Sequence, residues 1–449
     1  MRPLIVFPVL LVLFSTVRLA SALPTQDVVV SSGKAVGKDA LVTLKIFETP
    51  PESAAPGKNL PLFEQGLLAL DKNALEQAEK LFQQAIQKEP KSPKAMLGMA
   101  EVARRRNQNA EVERWVRKAA DVAPNDVDSQ LVMGRMLVAK RQYADAEARY
   151  LKVAASNPAN AEVWLGLGDL YSSQGKPESA IDAFRKASKL KPGHAGAHYG
   201  EGMAHIAQRD YLGATPLLEE SARLAPNNPL PFVALSQALG AQRKYKEALV
   251  AAEKAAKLQP TMVPAQLNLA NMAIAAGQPR LALDTLNNAA RVSPKSAQIP
   301  LSLGMTHQQA GEWKEAYAAY EQAIRLDPKQ SLAYNNLAWL AAERKERLDE
   351  ALSWAQKAID LEPQAAGFKD TLAWVKRARG DLAGASELLE KITAEKSASA
   401  EQFYHLGIVR AESGQKAGAI EALRKALQID PGFAQARDAG VRLRQLDGR

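Results

Sequence analysis

Three closely spaced histidines are the first candidates for chemistry in this chain. His194 and His198 lie four residues apart, and His205 follows seven residues later. On a helix this spacing aligns the side chains along one face, where imidazole rings could bind a zinc ion. The alternative is structural, because His198 and His205 could instead face a neighbouring helix and pack against it. We expect packing here and no metal site.

The second candidate is the densest run of basic residues, between positions 104 and 118. Such a run could contact an anionic polymer or a membrane surface, but Glu101, Glu111 and Glu113 are interspersed, which is typical of a solvated helix face. A nucleic-acid site would need a more continuous basic stripe with aromatic platforms, so we expect no nucleic-acid partner. The possible anionic-partner face consists of Arg104, Arg105, Arg106, Arg114, Arg117 and Lys118.

The composition excludes several classes of function. The chain of 449 residues contains no cysteine, which excludes disulfides, thiolate nucleophiles and cysteine-ligated zinc or iron–sulfur clusters. Its net charge of +9 is the small difference between 58 basic and 49 acidic residues, so it indicates an anionic neighbour only weakly. Neither a Gly-x-Ser-x-Gly nor a His-Glu-x-x-His motif occurs. We predict a non-catalytic protein without a cofactor.

The amino-terminal residues have the pattern of an export signal. Residues 1–22 combine Arg2, an apolar stretch from Leu4 to Phe14 and a small-residue end, Ala20-Ser21-Ala22. Cleavage after Ala22 predicts a periplasmic or secreted protein without a transmembrane helix. An uncleaved anchor is the alternative, although the apolar stretch is shorter than the roughly 20 residues that span a bilayer.

Residues 23–58 are predicted to form a flexible lead. Pro50, Pro51 and Pro56 mark a linker, and before them residues 40–47 alternate as in a short strand. At 36 residues this segment is too short for a catalytic domain. It supports the prediction that the protein is not an enzyme.

The rest of the chain is repetitive. Pro363 and Pro431 continue a series whose earlier prolines are spaced by 34 residues, and eleven repeats with one inserted residue fill residues 59–433. Each repeat has the apolar period of two consecutive helices. We predict a capping helix over residues 434–449. The regularly spaced prolines are Pro90, Pro124, Pro158, Pro192, Pro226, Pro260, Pro294 and Pro328.

Small residues recur at fixed positions within the repeats. The eighth position is always Gly, Ala or Ser, which allows the two helices of a repeat to approach closely. The pattern resembles the tetratricopeptide repeat, and that resemblance implies an all-α, right-handed superhelix of helical hairpins whose concave groove binds protein partners. The fourth repeat matches it throughout, with Trp164, Leu167, Gly168, Tyr171, Ala180, Phe184, Ala187 and Pro192.

The resemblance also implies which side chains line the groove. Positions two, five, nine, twelve and thirteen of each first helix should point inward, and they form an apolar, aromatic and methionine-containing wall suited to peptides. The alternative is that some of these side chains pack within the solenoid. The predicted partner-binding residues are Tyr199, Met203, Val233, Leu267, Asn271, Leu301, Met305, Asn335, Trp339 and Tyr404.

At the amino-terminal end, the first helix looks uncapped. Leu60, Phe63, Leu67 and Leu70 should lie on its inner face, so we expect residues 42–47 or another molecule to cover them. The alternative is that these side chains pack only on the second repeat.

The carboxyl-terminal third resembles a narrower group of proteins. The segments 333–339, 370–374 and 404–407 are similar to those of exported bacterial repeat proteins associated with exopolysaccharide production and with the PEP-CTERM (exosortase) sorting system. This resemblance implies a periplasmic scaffold for the assembly of an envelope polymer or a secretion machinery. The alternative is a module that binds a polysaccharide or another anionic polymer through its basic face and groove aromatics.

Overall fold

The computed structural model describes residues 60–448, which fold into 23 helices without a strand. The predicted signal segment and lead, residues 1–58, lie outside the described residues. None of the helices within 60–448 is both long enough and apolar enough to cross a membrane.

The described residues divide into two compact units, an N-terminal unit of residues 60–258 and a C-terminal unit of residues 259–448. The helices of the N-terminal unit are α1 (Leu62–Asp71), α2 (Leu75–Lys88), α3 (Pro93–Arg105), α4 (Asn109–Val122), α5 (Val127–Ala139), α6 (Tyr143–Ser156), α7 (Ala161–Ser173), α8 (Pro177–Leu190), α9 (Ala195–Ala207), α10 (Tyr211–Leu224), α11 (Pro229–Ala241) and α12 (Tyr245–Leu258).

The C-terminal unit begins with the seventh repeat. Its helices are α13 (Val263–Ala275), α14 (Pro279–Val292), α15 (Gln298–Ala310), α16 (Trp313–Leu326), α17 (Ser331–Arg344), α18 (Leu348–Leu361), α19 (Ala366–Ala378), α20 (Leu382–Thr393), α21 (Ala400–Glu412), α22 (Lys416–Ile429) and α23 (Ala436–Asp447).

Each repeat is a helical hairpin, with an odd-numbered first helix and an even-numbered second helix. Within each unit, every helix contacts the next one along the chain. First helices of consecutive repeats also touch, as α7 touches α9 and α17 touches α19. One hairpin cannot bury its own apolar face, and stacking its neighbours makes the core continuous. The prediction of an all-α solenoid of helical hairpins is confirmed.

In several repeats, a side chain from the second helix, most often an aromatic ring, explains why the eighth position is small. A β-carbon added at Gly168 would lie 2.5 Å from the ring of Phe184, and one added at Gly304 would lie 2.5 Å from the ring of Tyr320. Both rings are almost fully buried. A larger side chain at either glycine would therefore separate the two helices of the hairpin.

Turns between the helices of a hairpin use left-handed backbone. Gly311 ends α15 with a φ of 76°, a conformation that glycine adopts without steric cost. In the ninth repeat, which has the extra residue, Lys345 and Arg347 both have a φ of 53°. This turn directs Arg347 over the rings of Tyr317 and Trp354, at 5.2 and 4.7 Å from their centroids.

The first helix is partly covered by its own hairpin. Leu70 is buried, whereas Leu60, Phe63 and Leu67 are half-buried, and the rings of Phe63 and Phe82 lie 5.9 Å apart. Residues 42–47, predicted to cover this face, lie outside the described part of the chain.

At the other end, α23 packs on α22 and buries Ala439. The hydroxyl of Tyr404 on α21 donates a hydrogen bond to Asp438 of α23 at 2.7 Å. The rings of Tyr404 and Phe433 meet edge to face at 5.8 Å. The last helix therefore covers the end of the C-terminal unit, and its Asp438 carboxylate is hydrogen-bonded to Tyr404 on the first helix of the eleventh repeat.

Candidate partner-binding surface

In the N-terminal unit, little of the predicted wall is open. Tyr199 on α9 is 5% exposed, and its burial raises the pKa of the hydroxyl well above its usual range. Val233 on α11 is also buried, at 9% exposed. Met203, one helical turn after Tyr199, is half-buried. Of the three predicted residues in this unit, Met203 offers the most surface to a partner.

The seventh and eighth repeats present a wall of mixed exposure. Leu267 and Asn271 on α13 are half-buried. Leu301 on α15 is buried in a cluster that includes Tyr320, while Met305 lies half-buried at the edge of the same cluster. A flexible thioether at the edge of a rigid core is a side chain that can adapt to a partner.

The ninth repeat contributes Asn335 and Trp339 from α17, and both are half-buried. The Asn335 Nδ2 donates to Asn336 Oδ1 at 3.3 Å, and its own Oδ1 is buried without a hydrogen-bond partner among the described residues. The Trp339 ring stacks on Trp374 of α19, with centroids 5.7 Å apart and planes inclined by 9°. First helices of adjacent repeats are thus joined by an indole pair.

Two further rings complete what we call the aromatic cluster: Trp339, Trp374, Tyr404 and His405. The His405 ring on α21 lies 4.4 Å from Trp374 and 5.5 Å from Trp339, and Tyr404 lies 5.7 Å from His405. The cluster brings together Trp339 and Tyr404. Both were predicted from the sequence to line the groove, and they lie two repeats apart. Trp374, Tyr404 and His405 are buried, so Trp339 is its most accessible ring.

Carboxylates meet the polar edges of the aromatic cluster. The His405 Nδ1 lies 2.9 Å from Asp370 Oδ2, and both side chains are buried. The Trp374 Nε1 donates to Glu343 Oε1 at 2.5 Å, and Glu343 itself is exposed. An apolar, partly open surface with the exposed Glu343 carboxylate at its edge suits a ligand that combines apolar and cationic groups.

Sequence reasoning missed Trp374, Asp370, Glu343 and His405. The signal for three of them was present: Trp374 occupies the same position of its repeat as Trp339, Asp370 the position of Tyr404, and Glu343 the thirteenth position, which also faces inward. His405 is at position six, which the family rule does not assign to the wall.

On α3 and directly after it, the arginines of the possible anionic-partner face pair with glutamates of the chain. Arg104 and Arg105 both bind Glu101, with nitrogen–oxygen distances of 2.7 and 2.9 Å. Glu101 is only 6% exposed. Arg106 crosses to the preceding repeat and donates to Glu79 at 2.8 Å. These three guanidinium groups are held by carboxylates of the chain itself.

The same holds for the part of that face on α4. Arg114 pairs with the glutamate three residues before it at 2.7 Å, and Arg117 pairs with Glu113 at 2.9 Å. Lys118 lies over the ring of Trp115, 5.1 Å from its centroid. Five of the six basic side chains therefore form ion pairs within the chain.

The three histidines make separate contacts. His194 Nε2 lies 3.2 Å from Glu162, and this hydrogen bond holds the pKa of Glu162 below its usual range. His198 Nε2 lies 2.9 Å from a backbone carbonyl, and His205 Nδ1 lies 2.8 Å from Asp210. In residues 60–448, no three His, Cys, Asp or Glu side chains are placed to hold a metal ion.

Two models of the tetratricopeptide repeat match the sequence. One matches residues 131–195, 167–229, 301–366 and 371–432, and the other matches residues 69–135. The first alone covers half of the chain, so the chain belongs to the tetratricopeptide repeat family. This fold binds protein partners and is generally a non-catalytic scaffold.

Solved structures with similarity to the chain have low sequence identity. The APC/C hetero-tetramer Cut9-Hcn1 is 14% identical, covering 86% of this chain and 96% of that chain, with a TM-score of 0.44. Yeast Tom70 is 15% identical, covering 86% and 95%, with a TM-score of 0.46. A tetratricopeptide repeat protein from Parabacteroides merdae is 19% identical, covering 57% and 99%, with a TM-score of 0.47. Among curated proteins, none matches the sequence.

Proposed function

We infer that this protein is an exported, non-catalytic scaffold that captures a protein partner on its first-helix face. The observation that carries this inference is the aromatic cluster, in which the first helices of three consecutive repeats hold four rings with Trp339 as the accessible one. Tryptophan and tyrosine supply a large share of the binding energy at protein interfaces, so an accessible indole is a natural contact point.

The half-buried residues of the same face extend this contact surface. Met305 on α15 and Trp339 on α17 belong to consecutive repeats of the C-terminal unit. Methionine adapts its shape to a ligand, whereas the stacked indole is held in place. The combination favours an extended or helical peptide segment as ligand.

The signal-peptide pattern of residues 1–22 supports export, which would make the periplasm or the exterior the site of action. The resemblance of the carboxyl-terminal third to exported repeat proteins supports a role in assembling an envelope polymer, such as an exopolysaccharide, or a sorting machinery. In that role the protein would hold other components in place and carry out no reaction.

A module that grips an anionic polysaccharide is the less supported alternative. It depends on the basic face between Arg104 and Lys118, whose guanidinium groups pair with Glu79, Glu101 and Glu113, among others. A polymer would have to compete with these internal carboxylates, so the face is poorly placed to supply affinity.

Affinity capture from the periplasm of the source organism tests the proposed function. We expect Met305→Ala to reduce partner recovery severalfold, because it removes a contact of the first-helix face, while helicity and melting temperature stay nearly unchanged. The matched control is Leu326→Ala, which truncates an exposed side chain of the second helix α16 in the same repeat. Equal recovery by the Met305 variant, or an equal loss in the Leu326 variant, would contradict the proposed function.

A further inference from the structure

The six tryptophans of the chain differ in one respect. Five of them have a basic side chain of the same chain over the ring, and Trp339 has none among the described residues. Arg or Lys side chains lie 4.2 to 5.4 Å from the ring centroids of Trp115, Trp164, Trp313, Trp354 and Trp374.

In two of the contacts within the C-terminal unit, the Nε of the arginine also donates a hydrogen bond to a carboxylate. Arg377 lies 4.2 Å over Trp374, and its Nε donates to Glu412 at 2.8 Å. Arg347 lies 4.7 Å over Trp354, and its Nε donates at 2.7 Å to the glutamate three residues later. The C-terminal unit thus uses one arrangement twice, a guanidinium held by an indole face and a carboxylate.

At Trp339 the indole and the carboxylate are present and the guanidinium is missing. Glu343 follows Trp339 by four residues, which places both side chains on the same face of α17. The carboxylate is exposed and positioned by the Trp374 Nε1 hydrogen bond at 2.5 Å, yet no Lys or Arg of the described chain forms an ion pair with it. The neighbouring Arg344 lies over Trp313 instead, at 5.4 Å.

We propose that Trp339 and Glu343 form a receptor for an arginine side chain of the partner protein. This inference rests on the proposed function and names the chemistry of the segment that is captured. The guanidinium stacks on the accessible part of the Trp339 ring and donates to the Glu343 carboxylate, as Arg377 does at Trp374 and Glu412.

Arginine fits this site better than lysine. Its planar guanidinium stacks on an indole and donates to a carboxylate through two nitrogens at once, whereas an ammonium group is compact and strongly hydrated. Asn335, one turn before Trp339, has a buried Oδ1 without a hydrogen-bond partner in the described chain. That oxygen provides an acceptor for a further N–H group of the bound segment after a small movement of the amide.

Titration of the full chain with short peptides tests the receptor. The probes are acetyl-Gly-Ser-Arg-Ser-Gly-amide and its counterparts with lysine or with citrulline, which keeps the shape of arginine but has no charge. The readout is the indole N–H resonance of each tryptophan, with the Trp354 resonance as internal control. We expect the arginine peptide to shift the Trp339 resonance and to bind at least fivefold more tightly than either counterpart.

Variants separate the receptor from general electrostatics. Glu343→Gln alters an exposed side chain, so the protein should stay folded, and we expect it to weaken the arginine peptide about fivefold. Glu315→Gln, on the exposed face of α16, should leave binding unchanged. Trp339→Phe should weaken binding less than Glu343→Gln does, since a smaller ring face remains.

Several results would overturn the receptor. They are the absence of binding by the arginine peptide, equal binding of the lysine or citrulline peptide, and unchanged binding in Glu343→Gln. Partner capture that depends on Met305 would then leave the proposed function standing without an arginine receptor. If the arginine peptide does not bind and partner capture does not depend on Met305, the proposed function is contradicted as well.

Discussion

The basic segment of the N-terminal unit and the Trp339–Glu343 pair of the C-terminal unit differ in how their charged groups are paired within the chain. The segment from Arg104 to Lys118 is the densest run of charge in the sequence, yet its guanidinium groups are paired with carboxylates of the chain. Trp339 and Glu343 both contact Trp374, but no Lys or Arg of the described residues lies over the Trp339 ring or forms an ion pair with Glu343. On our proposal, the absence of an internal cation, more than the density of charge, marks the surface that a partner can use.

The histidine–carboxylate pairs of the two units also differ, in how deeply the carboxylate is buried. Asp370 and His405, which belongs to the aromatic cluster, are both buried. His194 is buried too, but its partner Glu162 keeps about a fifth of its side chain in contact with solvent. Removing one partner should therefore cost more in the C-terminal unit, because the remaining charge would be farther from water.

The largest effect is expected from His405→Leu. It leaves the Asp370 carboxylate buried without its partner, and we expect the free energy of unfolding to fall by about 3 kcal/mol. Urea denaturation followed by far-ultraviolet circular dichroism measures the loss. The control is His307→Leu in the same unit, whose ring contacts an exposed glutamate at 2.6 Å and which should cost less than about 1 kcal/mol. Equal losses would show that burial of the pair does not matter.

An intermediate effect is expected from Glu101→Gln, which converts the paired surface into an unpaired one. Arg104 and Arg105 would lose their charged acceptor, at a cost of about 1.5 kcal/mol. Their freed guanidinium groups should also retain the protein longer on a heparin column. Glu111→Gln, which breaks only a solvent-exposed pair with Arg114, should change stability by less than about 0.5 kcal/mol. Unchanged heparin retention in the Glu101 variant would break the comparison.

The smallest effect is expected from the pH dependence of Glu162. Its hydrogen bond with His194 lowers the pKa of the folded state, so Glu162 stabilises the fold above its unfolded pKa of about 4.3. This stabilisation is lost as the pH falls through the lower pKa of the folded state. Melting temperatures recorded from pH 7 to pH 3 should fall less steeply for Glu162→Gln than for the unchanged protein. Parallel curves would mean that this pair is not linked to stability.

The hairpins could be predicted because the same packing requirement recurs at the same positions of every repeat. Gly168 and Gly304 have to be small because Phe184 and Tyr320 fill the space beside them, and the recurrence of small residues at this position carries that requirement in the sequence. The sequence did not predict which side chains of the groove wall are buried. The position rule selects buried Leu301 and half-buried Met305 equally, because exposure depends on contacts with neighbouring helices.

Pairing between repeats could not be predicted either. The contact between Arg106 and Glu79 joins residues 27 positions apart and depends on the side-chain geometry of two stacked hairpins. For the same reason, the four-residue spacing of Trp339 and Glu343 is visible in the sequence, whereas the missing cation becomes evident only when the contacts of all six tryptophans are compared.

Site-specific photocrosslinking tests most directly whether partners meet the first-helix face. A benzoylphenylalanine residue is placed either at half-buried Met305 on α15 or at Val292, which is 50% exposed on the second helix α14. Both variants are irradiated with the captured partner. We predict a crosslinked product from position 305 and none from position 292. Crosslinking from position 292 alone would contradict the assignment of the first-helix face as the binding surface.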